Sequence, residues 1–62
     1  MSIEITFRFY VSVASPAGMD VEEATLSVEF ATDSDEHAMD LAERYWPTVC
    51  PANFVPGTLT FG

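Results

Sequence analysis

Six apolar residues at every second position near the start of the chain constrain its fold more than any other feature. Successive side chains of a β-strand point to opposite faces, so this spacing is typical of a strand with one buried face. The sequence predicts one long strand whose alternate side chains all face the core, namely Ile3, Ile5, Phe7, Phe9, Val11 and Val13. The intervening side chains, including Arg8 and Tyr10, then lie on the opposite, open face.

A second alternating segment follows a turn signal. Proline presets φ and glycine tolerates positive φ, so Ser15-Pro16-Ala17-Gly18 predicts a turn. The connection is expected to continue through Glu23, and the next residues alternate again, with Ala24, Leu26, Val28 and Phe30 inward. Two such segments around a turn predict an antiparallel hairpin, here with a loop too long for a tight turn.

A helix is predicted over residues 34–46. Asp33 and Glu36 have the spacing of a capping box, with Asp33 as the N-cap. Pro47 is expected to end the helix, because proline lacks an N–H group and disfavours helical geometry in the residue before it. One apolar helix face follows the i, i+3, i+4, i+7 spacing, and Met39 and Trp46 flank it; this face comprises Ala38, Leu41, Ala42 and Tyr45.

Residues 57–61 alternate once more and predict a short third strand, so the element order is ββαβ. We expect an α+β fold in which residues 1–62 form a single compact domain. The helix returns the chain along the sheet, which allows the third strand to lie antiparallel beside the first, in the order 2-1-3 or its mirror. The helix covers one face of this three-stranded antiparallel sheet, and the other face stays open.

Charge excludes several classes of function. Ten acidic residues stand against Arg8 and Arg44, with no lysine, and the formal net charge is −8. Binding to nucleic-acid phosphates depends mostly on clustered Lys and Arg, so neither direct nucleic-acid binding nor attraction to an anionic membrane is expected. An apolar fraction of 48% also distinguishes the chain from a disordered acidic tail.

Catalysis and metal binding are not expected from these residues. His37 and Cys50 are the only histidine and cysteine, and no third group that would orient a Cys/His pair is identifiable. Asp33-Ser34-Asp35-Glu36 lacks the glycine and the later glutamate of a calcium loop, so we expect no metal and no cofactor. The single cysteine excludes an internal disulfide and favours a reducing cytoplasm, and neither a signal peptide nor a membrane span is predicted.

The acidic residues are the most informative feature for function. They fall into two groups: Asp20, Glu22 and Glu23 at the predicted hairpin end, and Asp33, Asp35, Glu36, Asp40 and Glu43 on the helix and its lead-in. Within the helix, only Asp40 and Arg44 form a compensating i,i+4 pair. A basic partner would offset the remaining repulsion, which leads to the hypothesis that these eight carboxylates bind a basic cleft as a DNA mimic.

Two alternatives are consistent with the same composition. A halophilic protein uses excess acid to stay soluble in salt, and thermal melts at low and molar salt would distinguish that case. An acidic protein–protein interaction module, such as another phage counter-defence protein or an antitoxin-like protein, would instead bind through its open sheet face, using Arg8 and Tyr10, or through an edge strand.

In size, charge and layout the chain resembles the small phage-encoded anti-CRISPR proteins, particularly those that act on type I surveillance complexes. The resemblance runs from Ile3-Glu4-Ile5-Thr6-Phe7-Arg8-Phe9 through Asp33-Ser34-Asp35-Glu36 to Thr58-Leu59-Thr60-Phe61. It implies a non-catalytic inhibitor, a monomer or weak dimer in the cytoplasm of an infected bacterial host. Several members of the class occupy the basic site where the complex reads the PAM and admits target DNA.

Overall fold

The computed structural model describes residues 1–62 and contains one sheet and one helix. Strands β1 (Ile3–Ser15) and β2 (Gly18–Phe30) are followed by helix α1 (Asp35–Val49) and strand β3 (Thr60–Phe61). The sheet is antiparallel with the order β2-β1-β3, and α1 packs on one face. The predicted α+β fold, the ββαβ order and the central position of the first strand are confirmed.

The hairpin connection is shorter than predicted, and the expectation of a long loop is wrong. Strand pairing continues to Ser15 and Gly18, so only Pro16 and Ala17 connect the strands. Gly18 has φ 126°, a value that glycine adopts without a steric penalty. Residues 19–23 lack a regular apolar alternation, and this absence misleadingly indicated a loop. A strand needs that alternation only where one of its faces is buried.

Helix α1 begins and ends later than predicted. Its N-cap is Ser34, not Asp33, and the Ser34 hydroxyl accepts a hydrogen bond from the His37 N–H at 3.3 Å. Pro47 lies inside the last turn, and the helix continues because the Cys50 N–H still donates to the Trp46 carbonyl at 2.8 Å. Pro51 follows directly, and the restriction that proline places on the preceding residue explains the end of the helix at this point.

The third strand is shorter than the predicted 57–61, because side chains replace backbone pairing along part of β1. Thr58 accepts a hydrogen bond from the Tyr10 N–H through its hydroxyl at 3.0 Å. Further along, the Val55 N–H donates to the Tyr10 carbonyl, and Phe54 forms an isolated bridge with Val11. The outer edge of β1 is therefore occupied although β3 itself has only two residues.

The core lies between the first half of the hairpin and α1. Ala38 and Ala42 are fully buried and let the helix approach the sheet closely, above a completely buried Phe7. Trp46 is half-buried and packs against this core, with its ring 5.4 Å from that of Phe7 and 4.9 Å from that of Phe9. The fully buried cluster consists of Ile5, Phe7, Phe9, Ala38 and Ala42.

Three predicted core positions differ from the expectation. Val13 is half-buried but is not part of the core cluster, because the hairpin extends beyond the residues that cover it. Tyr45 is 39% exposed, and the only aromatic ring that it meets is that of Phe30, edge to face at 5.9 Å. Leu41 is half-buried outside the cluster.

The hairpin makes the molecule long and narrow. Its Cα atoms span 46 × 15 × 15 Å, and the radius of gyration is 13.6 Å. A spherical domain of this length would have a radius of gyration of about 11 Å. We refer to residues 13–20, which lie beyond the last backbone contact with residues 53–54, as the distal arm.

Candidate functional site

All ten carboxylates are exposed, and almost none is neutralised by a neighbour. The single ion pair joins Arg44 to Asp40, with 3.2 Å between nitrogen and oxygen. Exposed pairs of this kind contribute about 0–1 kcal/mol to stability, so a competing cation of a partner could replace Arg44 at little cost. The negative charge of the surface is therefore accessible to a positively charged partner.

Three of the predicted residues lie on one side of α1 and form a surface that we call the acidic stripe: Glu36, Asp40 and Glu43. At 3.6 residues per turn they fall within about 60° of each other around the helix axis, and they span about 10 Å along it. The stripe faces away from Ala38 and Ala42, which hold the other side of the helix against the sheet. Packing on that side fixes the position of the stripe relative to the rest of the molecule.

Asp33 and Asp35 lie beside the stripe, at the helix start. Neither is the N-cap, so neither side chain is needed to bond the first N–H groups of the helix. Asp35 nevertheless lies in the first turn, where the helix dipole stabilises negative charge by about 0.3–1 kcal/mol. Glu36 lies in the same first turn and shares this stabilisation, whereas Glu43, about two turns further along, does not.

The hairpin acids do not form one surface with each other. Strand register places Asp20 opposite Val13 and Glu22 opposite Val11, on the face of the sheet that carries α1. Glu23 pairs with Tyr10 and therefore points to the open face.

Asp20, near the turn of the hairpin, is remote from the helix start. Ten residues of extended strand, about 33 Å, separate Asp20 from Phe30, and the three steps to Asp33 recover at most about 11 Å. At least about 20 Å thus separates Asp20 from Asp33, beyond the screening length of about 8 Å at physiological salt. The eight predicted residues therefore do not form one compact patch.

The open face carries a feature that the sequence did not reveal. Register places Glu4 directly opposite Glu29, and like charges in that arrangement repel. Neither residue belongs to the two predicted acidic groups, because only the pairing of the strands brings them together. The signal that could have found them is the register, which follows once the connection is known to be two residues long.

Exposed apolar side chains lie on the same open face, nearer the turn. Tyr10 is 40% exposed, as predicted, and Met19 and Val21 are 69% and 57% exposed. Ala14 is the strand partner of Met19, so these four side chains share one face.

Arg8 borders a shallow depression of about 410 Å³ on the open face, together with Thr6, Thr60, Phe61 and Gly62. No carboxylate lies within 4 Å of its guanidinium group. The Thr6 hydroxyl already bonds to that of Ser27 at 3.0 Å, which leaves the depression polar but weakly charged.

His37 and Cys50 lie at opposite ends of α1. Thirteen residues of helix separate them, which corresponds to about 20 Å, so they do not form a Cys/His pair. The imidazole Nδ1 lies 3.1 Å from the Thr32 hydroxyl, and the Cys50 thiol is half-buried, 3.6 Å from the Pro51 carbonyl. No group of three or more His, Cys, Asp or Glu side chains is arranged to hold a metal ion. Helix α1 also lacks the length and apolar character needed to cross a membrane.

Comparison of the chain with known protein families, with characterised proteins and with solved structures gives no match.

Proposed function

We propose that this chain is a non-catalytic inhibitor that binds a basic DNA-binding site as an acidic mimic of DNA. The expected target is the PAM-reading site of a type I CRISPR surveillance complex, in the cytoplasm of an infected bacterial host. The observation that carries the proposal is the acidic stripe, three exposed carboxylates on one face of a helix that is anchored to the core through its other face.

Charge density supports a partial likeness to DNA. A duplex carries about one charge per 1.7 Å of axis, hence about six charges over the 10 Å that the stripe spans. The stripe carries three, so its density is about half that of a duplex. A cleft that already binds phosphates would still attract the stripe, because complementary electrostatic potential raises the rate of association. The same negative charge keeps the stripe from binding acidic surfaces of other proteins.

A charge-reversal experiment tests whether the stripe is the binding site. The stripe variant combines Glu36→Lys, Asp40→Lys and Glu43→Lys, and the matched control combines Glu4→Lys, Glu23→Lys and Glu29→Lys on the open face. Both variants change the net charge by the same amount, so any difference between them reports position rather than total charge. The measurement is the binding of target DNA by a purified type I complex at increasing concentrations of each variant.

We expect the stripe variant to lose inhibition by at least about tenfold, while the control retains it within about threefold. Equal losses in both variants would indicate that only net charge matters and would reject a defined mimic surface. Undiminished inhibition by the stripe variant, or no inhibition by the unaltered protein, would reject the proposed function.

A second candidate function rests on the exposed apolar side chains of the open face. An interaction module would bind a partner through Tyr10, Met19 and Val21 with Arg8 beside them, since aromatic residues and arginine are enriched in interfaces. Tyr10→Ala would then weaken binding to that partner, while reversal of the acidic stripe would not.

A further inference from the structure

The two edges of the sheet differ sharply in how they are covered. The outer edge of β1 is occupied from Thr6 to Ser12 by Gly62, the Thr58 hydroxyl and the backbone of residues 53–55. In addition, the Asn53 side chain donates to the Ser12 carbonyl at 2.8 Å. The outer edge of β2 has no strand beside it over all 13 residues, from Gly18 to Phe30.

The register identifies the backbone groups that this free edge presents. On β1 the N–H groups of Thr6, Tyr10 and Ser12 point to the outer side, so the odd-numbered residues of β1 bond to β2. Each odd residue of β1 pairs with an even residue of β2. The N–H and C=O groups that point outward from β2 are therefore those of Met19, Val21, Glu23, Thr25, Ser27 and Glu29.

The helix side of β2 is an unfinished flank of the core. The side chains of Leu26, Val28 and Phe30 pack against the buried cluster but are themselves only half-buried, whereas their partners on β1 include the buried Phe7 and Ile5. A strand beside β2 would cover this flank with its own apolar side chains, at every second residue.

The charges along β2 indicate which charged residues an added strand would need. Asp20 and Glu22 follow on the helix side, Glu23 and Glu29 lie on the open side, and β2 has neither a basic residue nor a proline. A second copy of this chain would bring the same acids to the edge, and each copy carries a formal charge of −8. The β2 edges of two copies would therefore repel each other, whereas a basic strand would complement the charge of this edge.

We propose that the free edge of β2 is a docking site for an extended basic segment of another protein, which adds antiparallel to the sheet as a fourth strand. Apolar residues at alternate positions of the segment contact Val28, Leu26 and Ala24, and the lysine or arginine residues that follow at the same spacing pair with Glu22 and Asp20. Backbone hydrogen bonds supply affinity in this mode of recognition, and the side chains supply register and orientation. The site is separate from the acidic stripe, so it stands or falls independently of the proposed inhibition.

A synthetic peptide of the matching pattern tests the site without any change to the protein. The probe is the capped peptide Val-Thr-Val-Thr-Val-Thr-Lys-Thr-Lys, in which valine and lysine face the helix side. In antiparallel pairing its threonine nitrogens point toward β2 and its valine and lysine nitrogens point away. Two N-methylated forms are the matched controls, one methylated on three threonine nitrogens and one on three valine or lysine nitrogens. Amide chemical shifts of the labelled protein are followed at 0.15 M salt.

We expect binding in the range of about 0.1–1 mM, with the largest shift changes at the outward N–H groups of residues 19–29. Methylation of the threonine nitrogens should weaken binding at least tenfold, and methylation of the other nitrogens should leave it within about twofold. Shift changes centred on the acidic stripe, equal effects of the two methylations, or no binding at 1 mM would each overturn the docking site. So would a concentration-dependent dimer of the protein that buries β2, since a second copy would then occupy the edge.

A protein variant gives a second measurement. Proline at position 27 removes an outward N–H group but none of the backbone hydrogen bonds between β1 and β2, a position where edge strands tolerate it. It also removes the Ser27 hydroxyl that bonds to that of Thr6, a loss that the control Ser27→Ala shares. Ser27→Pro should weaken peptide binding at least fivefold relative to Ser27→Ala, with thermal melts of both variants reporting whether the fold is retained. Equal affinities of two folded variants would contradict pairing along this edge.

Discussion

The two halves of the hairpin have the same backbone pairing and differ in what covers them. In the first half, Phe7 is completely buried beneath α1 and the outer edge of β1 is occupied. In the distal arm, register continues without a break to Ser15 and Gly18, although Met19 is 69% exposed and neither edge has a neighbour. Regular strand geometry in this protein is therefore no measure of local stability, since isolated two-stranded hairpins are only marginally stable.

Truncation of one side chain in each half gives the largest expected contrast. Phe7 and Val13 are apolar residues on the same face of β1, six positions apart. Phe7→Ala should destabilise the protein by about 3–5 kcal/mol, because it leaves a cavity between the sheet and Trp46. Since small domains lie near the lower end of the usual 5–15 kcal/mol, most of the stability would be lost. Urea denaturation followed by tryptophan fluorescence measures the change.

Val13→Ala is the matched control and should cost less than about 1 kcal/mol, since no core contact is removed. A loss at Val13 as large as that at Phe7 would show that the distal arm contributes to the core after all.

Loss of the helix cap tests the covered half with a smaller change. Ser34→Ala removes the hydroxyl that accepts from the His37 N–H, and it should destabilise the protein by about 1 kcal/mol. Asp33→Ala should have less than half that effect, because Asp33 is not the N-cap. Both values follow from thermal unfolding monitored by circular dichroism. The reverse order of the two variants would place the N-cap at Asp33.

The smallest effect on stability is expected in the distal arm, where hydrogen exchange reveals what mutation does not. Met19→Ser should change the free energy of unfolding by no more than about 0.5 kcal/mol. The N–H groups of Val13 and Asp20 should exchange at least about 100-fold faster than those of Phe7 and Leu26, which corresponds to about 2.7 kcal/mol in opening free energy. Similar exchange rates in both halves would show that the hairpin opens as one unit.

Prediction from sequence succeeded where a residue pattern reports directly on burial. Alternation along β1 identified the strand, its buried face and the exposure of Tyr10, and the helical spacing placed Ala38 and Ala42 in the core. It failed at the two-residue connection, at the N-cap and at Pro47. At Ser34 the choice of cap depends on which side-chain oxygen reaches the N–H group of His37, a geometric detail that spacing does not contain.

The candidate sites divide in the same way. The helical period alone groups Glu36, Asp40 and Glu43 on one face, because that period repeats every few residues and needs no long-range contact. The separation of Asp20 from the helix start, the opposition of Glu4 and Glu29, and the identity of the N–H groups on the free edge of β2 all depend on the register of the hairpin.

Sequence by itself determined that β1 and the second half of β2 are extended, that one segment is helical, and which face of each is apolar. These properties are local, since the burial of a side chain depends on its direction and the direction on the backbone period. Only the tertiary structure decided which backbone groups the free edge of β2 presents and which carboxylates are neighbours. Contacts of that kind join residues far apart in the chain, and a shift of one residue in the pairing of β1 with β2 would exchange the faces of every side chain on β2.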